Sequence, residues 1–284
     1  MAMDESIRQR FAEAAREARP DLAALCLLIG AQADPGLGGA TPDELDAFVD
    51  GAQIELDRLA GLLPYRPDAT PAGWAGALAE LLGARCGFGG VPGDYQRLES
   101  SLLHEVLHRR RGLPILLSVI WIEVARRAGA PVYGVALPGH FVVGFGDPAG
   151  VFVLADPFHG GRLLGDDDVS LLVAGATGAP LAPGMLSPAD PLDIVLRILN
   201  NIRAWASARP EHLRVQLWAV ELSLLLPRHP ARLRFERAQL LVQKGDFATG
   251  ADEMDAYADI ISGIDPGAAA SMRSQAQAAR ALLN

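Results

Sequence analysis

The feature that most limits what this chain can fold into is the run Ile115–Ala128, ILLSVIWIEVARRA. It is apolar around nearly the whole circumference of a helix, with Glu123 and Arg126 as late interruptions. Such a helix has to be central, because almost no face is left for water. It is too short, and too closely flanked by charge, to span a bilayer. Both ends are marked. Pro114 suits a first turn, whose N–H groups have no intrahelical partner. Gly129 suits the position just past the last turn, and Pro131 stops continuation.

Three β-rich runs follow: Val132–Ala136, His140–Phe145 and Val151–Ala155. Pro138-Gly139, Asp147–Gly150 and Asp156-Pro157 punctuate them. Short connections predict an antiparallel three-strand meander. Within the second run, His140, Val142 and Gly144 share one face, and Phe141, Val143 and Phe145 the other. If the second and third runs pair across the Asp147–Gly150 turn, His140 comes to lie beside Asp156, sixteen positions on. A carboxylate in that place can fix the imidazole tautomer and stabilise its charged form, as in hydrolytic triads. The plainer alternative is a histidine that hydrogen-bonds a carboxylate at a strand end.

The region before the central helix reads as all-helical. Residues 4–32 form two helices parted near Arg19-Pro20-Asp21, with Asp21 an N-cap. Thr41-Pro42-Asp43-Glu44 is a capping box opening a helix that runs to about Leu63. A loop, PYRPDATPAG, precedes another helix over Gly73–Leu82. Residues 162–192 read as a loop-rich connector. Beyond it come helices over Leu192–Ala208, Glu211–Leu226, Ala231–Lys244 and Ala248–Ile261. The last two, joined by Gly245-Asp246-Phe247, are similar to a tetratricopeptide repeat, as one or two degenerate copies rather than an array. Such helix pairs form a binding surface or simply cover a core.

With 284 residues, half of them hydrophobic, the chain can build a sizeable core and two domains. A net charge of −9 argues against a general nucleic-acid or anionic-membrane binder, which needs a basic face. The one basic run, Arg109-Arg110-Arg111, is expected to be a solvated helix end. Cys26 lies in an apolar helical run and Cys86 before a glycine-rich bend, which gives no disulfide framework and no metal-ligand spacing. Met1–Arg19 is charged and lacks a secretory apolar core, so the expected location is the cytoplasm.

His104-Glu105-Val106-Leu107-His108 matches H-E-x-x-H, the zinc-protease string in which two histidines bind metal and the glutamate acts as base. It runs into three arginines, and no third ligand stands in a matching downstream pattern. The expectation is therefore no metal and no cofactor.

The segments GLPILLSVIWIEVARRAGAPVYGVALPGHFVVGF and DPFHGGRLL resemble the SirB-type proteins, a divergent bacterial branch of the transglutaminase-like family. Residues 87–112, GFGGVPGDYQRLESSLLHEVLHRRRG, and LDRLA at 56–60 share the likeness, which covers roughly residues 20–165. The resemblance implies a papain-related core in which His140 and Asp156 match the His and Asp of a Cys-His-Asp triad. It also implies a nucleophilic Cys at the start of the central helix, which falls at Pro114. Residues 112–117 are Gly, Leu, Pro, Ile, Leu and Leu, and none is a nucleophile; Leu116 stands where many relatives carry Ser. Ser118 is the nearest hydroxyl, read as a packing residue bonded to a backbone carbonyl. Ser100 and Ser101 are the other hydroxyls that could reach the imidazole.

The expected fold is α+β: a mainly helical region plus transglutaminase-like core over 1–165, a connector over 166–192, and a tetratricopeptide-like domain over 193–284. The expected function is that of a pseudoenzyme, a cytoplasmic regulatory protein that binds a protein or peptide near His140 and Asp156, with no nucleic-acid or membrane partner. The alternative is a hydrolase or acyl-transferase using that pair.

Overall fold

The computed structural model describes residues 2–64 and 68–283. Tyr65, Arg66 and Pro67 of the expected PYRPDATPAG loop lie outside the described residues. The fold is mainly helical, with a small antiparallel sheet followed by a helical-repeat region. Backbone proximity separates two compact units, Met1–Ile198 and Leu199–Asn284.

The first unit begins with α1 (Ala2–Ala14), α2 (Leu22–Ala33) and α3 (Pro42–Gly61). Asp21 caps α2 by accepting the Ala24 N–H at 3.0 Å. Thr41 and Glu44 form the reciprocal capping box of α3. Then come α4 (Pro71–Leu78), a turn of π-helix over Ala79–Arg85, α5 (Leu103–Arg109) and α6 (Pro114–Arg127). The fourth helix starts at Pro71 rather than Gly73, because Thr70 caps it and Pro71 takes the first position.

Every residue of α6 from Pro114 to Ala125 is buried. It packs against α2, α3, α4 and α5 and against the first two strands. Gly129, with φ +83°, turns the chain out of the helix in the left-handed conformation.

The sheet has four strands rather than three, in the order β1 (Val132–Val135), β2 (Val142–Gly146), β3 (Phe152–Asp156) and β4 (Arg162–Leu164), all antiparallel. Residues 162–192 are not loop-rich throughout. They contain β4 and α7 (Asp166–Thr177), whose Val169 and Val173 are buried with Val135, Leu137, Val142 and Leu154. Helix α8 (Pro191–Ser207) follows.

The second unit holds α9 (Leu213–Leu225), α10 (Arg232–Lys244), α11 (Phe247–Ile261) and α12 (Pro266–Ala281). Consecutive helices pack on one another. Gly245 ends α10 at φ +94°, and the Asp246 side chain caps α11 through the Thr249 N–H. Gly250 lets the two helices close up: a Cβ there would lie 2.6 Å from Val242 Cγ2 and 2.8 Å from the Ala238 carbonyl oxygen. Ala238, Ala251, Met254, Ala276 and Ala279 form the small-residue core that results.

Candidate functional site

The site is built at the mouth of the β2–β3 hairpin. Val143 stands opposite Ala155, so one further step along the register puts Asp156 opposite Val142. His140 lies two residues before β2, in the turn after Pro138-Gly139, not within the strand as the sequence suggested. Two anchors hold that turn. The His140 N–H donates to the Leu137 carbonyl at 3.2 Å. From α8, the Arg197 guanidinium donates to the carbonyls of Leu137 and His140 at 2.8 and 2.7 Å.

His140 Nε2 stands 3.0 Å from Asp156 Oδ2. Asp156 is buried, and its other oxygen accepts the Phe158 N–H at 3.0 Å, which orients the carboxylate. A carboxylate at this distance favours a proton on Nε2, and in the neutral form of that tautomer Nδ1 offers a lone pair.

A third member was missed in the sequence. His159 Nδ1 lies 2.7 Å from the same Oδ2. Asp156 caps a short 3₁₀ turn, Pro157–His159, of which His159 is the last residue, and side chains three apart on such a turn eclipse one another. The Asp-Pro-x-His spacing was the available signal. Burial pushes the Asp156 carboxyl up, but the hydrogen bonds and positive character of His140, then of His159, outweigh it and hold the group below its ordinary value. The two imidazole nitrogens and the carboxylate oxygen all lie within 4.8 Å of one another, so these three residues could hold a metal ion.

An aromatic frame surrounds the cluster. Phe158 meets His140 edge-on at 6.2 Å and His159 at 5.3 Å between ring centroids. The GFGG bend makes room for it: a Cβ on Gly90 would fall 1.9 Å from the Phe158 ring, and the Gly90 N–H donates to the Phe158 carbonyl at 2.9 Å. Tyr95, half exposed, lies 6.1 Å from Phe158. Burial and the Asp156 charge push its hydroxyl upward in pKa, and Arg197 opposes them.

Pro114 is the buried first residue of α6. Ser118 is buried, and its hydroxyl donates to the Phe141 carbonyl at 3.3 Å, across to the residue after His140 rather than within its own helix. Ser100 and Ser101 are also buried. Among the described residues no hydrogen bond joins a serine hydroxyl or a cysteine thiol to His140 or His159. Cys26 is buried in α2, and burial drives its thiol far above the ordinary range.

The HEVLH string does not make a metal centre. The His104 ring turns inward over Gly30, where a Cβ would lie 2.3 Å from Nδ1, and it meets Phe48 edge-on at 5.0 Å. His108 is exposed. Among the described residues neither belongs to a metal-capable group. The arginine run is also not merely solvated. Arg110 donates to Glu55 at 2.8 Å and lies over the Phe88 ring at 4.6 Å, because its left-handed backbone (φ +60°) turns it back onto α3.

The profile of the transglutaminase-like superfamily matches residues 41–200, more than half of the chain. The chain belongs to that superfamily. A tetratricopeptide-repeat profile matches residues 202–284. A UPF0162 protein of Xylella fastidiosa (strain 9a5c) is 30% identical over 242 residues, covering 83% of this chain and 82% of the relative. The UPF0162 protein PA3419 of Pseudomonas aeruginosa is 36% identical over 115 residues, 40% and 42% of the two chains. F-box only protein 21 of Mus musculus is 25% identical over 148 residues, half of this chain and 23% of its own. This superfamily member thus has the fold without an obvious Cys-His-Asp triad among its described residues. No described helix is long and apolar enough to cross a membrane.

Proposed function

We propose that this protein is a SirB-type, non-catalytic member of the superfamily, a cytoplasmic regulatory protein that binds a protein or peptide beside His140 and Asp156. The observation that carries this reading is the residue at the head of α6. Where the family resemblance expects a nucleophile there is Pro114, buried and without a heteroatom to attack a carbonyl. Among the described residues the ordered imidazole has no hydrogen-bonded serine or cysteine to activate, and an oriented His–Asp pair becomes a recognition feature. Half-exposed Tyr95 beside it suits a partner's apolar or aromatic group. The tetratricopeptide-like unit supports the same reading, since stacked helix pairs typically mediate protein–protein contacts.

Two measurements test this. Intact-mass analysis after exposure to serine- and cysteine-directed acylating probes should show no adduct that depends on His140; a stoichiometric adduct lost in His140→Ala would replace the proposal with a hydrolase or acyl-transferase. A photocrosslinker at Tyr95 should trap a discrete partner that one at exposed Ile54 on α3 does not, and equal trapping at both positions would count against a binding face here.

A further inference from the structure

We infer that His140, Asp156 and His159 form a binding site for one divalent transition-metal cation of the class that prefers imidazole and carboxylate ligands, such as zinc. The expectation of no metal rested on HEVLH, where His104 turns into the core. The three residues of the new site converge instead on one point near the surface.

Three features carry the assignment. The first is the donor set. Two imidazoles and one carboxylate are the ligands that zinc and related first-row ions take when a position is left open to water or substrate. The second is the geometry. Both ring nitrogens aim at the same oxygen, Asp156 Oδ2, at 3.0 and 2.7 Å. Tetrahedral ligands each about 2.1 Å from a metal stand about 3.4 Å apart. The His140–Asp156 and His159–Asp156 separations therefore have to widen by only about 0.4 and 0.7 Å for a cation to replace the two bridging protons, with the larger movement on the His159 side. His159 can follow, because its side chain is 57% exposed, whereas His140 and Asp156 are fixed at 11% and 1%.

The third feature is the support behind the ligands, which metal sites need to hold the first ligands in place. The Phe158 N–H holds Asp156 Oδ1, leaving Oδ2 to the site. Arg197 holds the backbone of His140 through two carbonyls. Phe158 walls one side of both rings. The exposure of His159 leaves the outer side free for a water or for an acceptor atom of a bound molecule. None of this depends on the non-catalytic reading, since it requires neither a nucleophile nor its absence.

The test uses the full-length chain, stripped with a chelator and titrated with Co²⁺, followed by displacement with Zn²⁺. One equivalent should bind and produce ligand-field absorption that Zn²⁺ abolishes. His159→Ala removes an exposed ring with little risk to folding. It should weaken Co²⁺ binding by more than about tenfold, since loss of a mere outer-shell partner already costs 10- to 100-fold. His108→Ala should leave binding unchanged. As an independent readout, Zn²⁺ should raise the melting temperature of the wild type and not of His159→Ala. No stoichiometric binding, equal affinity in His159→Ala, or loss of binding in His108→Ala would each overturn the assignment.

Discussion

Gly83→Ala tests how the π-helical turn holds the site from behind. A Cβ on Gly83 would lie 2.1 Å from the carbonyl oxygen of Gly160 and 2.9 Å from its carbon. Ordinary contact needs at least about 1.3 Å more, and the obstruction is backbone rather than a side chain that can swing away. Overpacking of this kind costs roughly 1–3 kcal/mol, and backbone on backbone belongs at the upper end. Ala over Gly in a helical turn returns about 1 kcal/mol. The net loss is about 2 kcal/mol, which for a unit of this size lowers the melting temperature by about 4–8 °C. Gly76→Ala in α4 is the control, because its Cβ would meet nothing within 4 Å and should be neutral or stabilising. Hydrogen exchange followed over residues 79–90 and 157–164 localises the effect, which should include faster exchange next to His159. If Gly83→Ala proves as stable as Gly76→Ala, the close backbone approach is not what sets the position of the Pro157–Gly160 turn.

Arg197→Met removes two charge-assisted hydrogen bonds from the turn that carries His140; it should cost about 1.5–3 kcal/mol and speed exchange of the His140 amide, and unchanged exchange would show that the turn holds itself. Burial, opposed by the charges of Glu105 and Asp34, holds the His104 imidazole below its ordinary value, so the unfolded chain takes up a proton near pH 6.5 before the folded one does. Stability should therefore fall as pH drops below about 6.5, more steeply in the wild type than in His104→Gln; parallel melting curves across that window would contradict the desolvation of the His104 ring. Iodoacetamide should label Cys86 and leave Cys26 untouched in the native chain, with both labelled in denaturant, and native labelling of Cys26 would show that α2 opens readily.

What could be read in advance followed from local rules with hard physical causes. The caps at Asp21 and Thr41 were legible because their side chains satisfy N–H groups three residues on. The approach of His140 to Asp156 was legible because an antiparallel hairpin turns sequence spacing into adjacency. His159 carries no such signal, because its bond to Asp156 depends on a three-residue 3₁₀ turn rather than on strand pairing. Strand β4 is three residues long and only one of them faces cover, so it carries no alternation to detect. Helix α7 opens on three aspartates after a glycine, which reads as loop, although Asp168 reaches back to the Gly165 N–H at 3.0 Å. The contact of Gly83 with Gly160 joins two glycines far apart in sequence, and nothing in either neighbourhood announces it.

The β2–β3 register has a consequence for how the length of this protein can drift. Pairing runs from Gly146 opposite Phe152 to Val143 opposite Ala155, and the turn lies outside it. Residues added between Asp147 and Val151 would lengthen the tip and leave the two imidazoles and the carboxylate where they are. One residue added between Val142 and Gly146 would shift the register of the residues beyond it, carrying Val142 out of the core it shares with α7. The hairpin thus behaves as a ruler with an elastic end and a rigid end, and His140 and Asp156 sit at the rigid one.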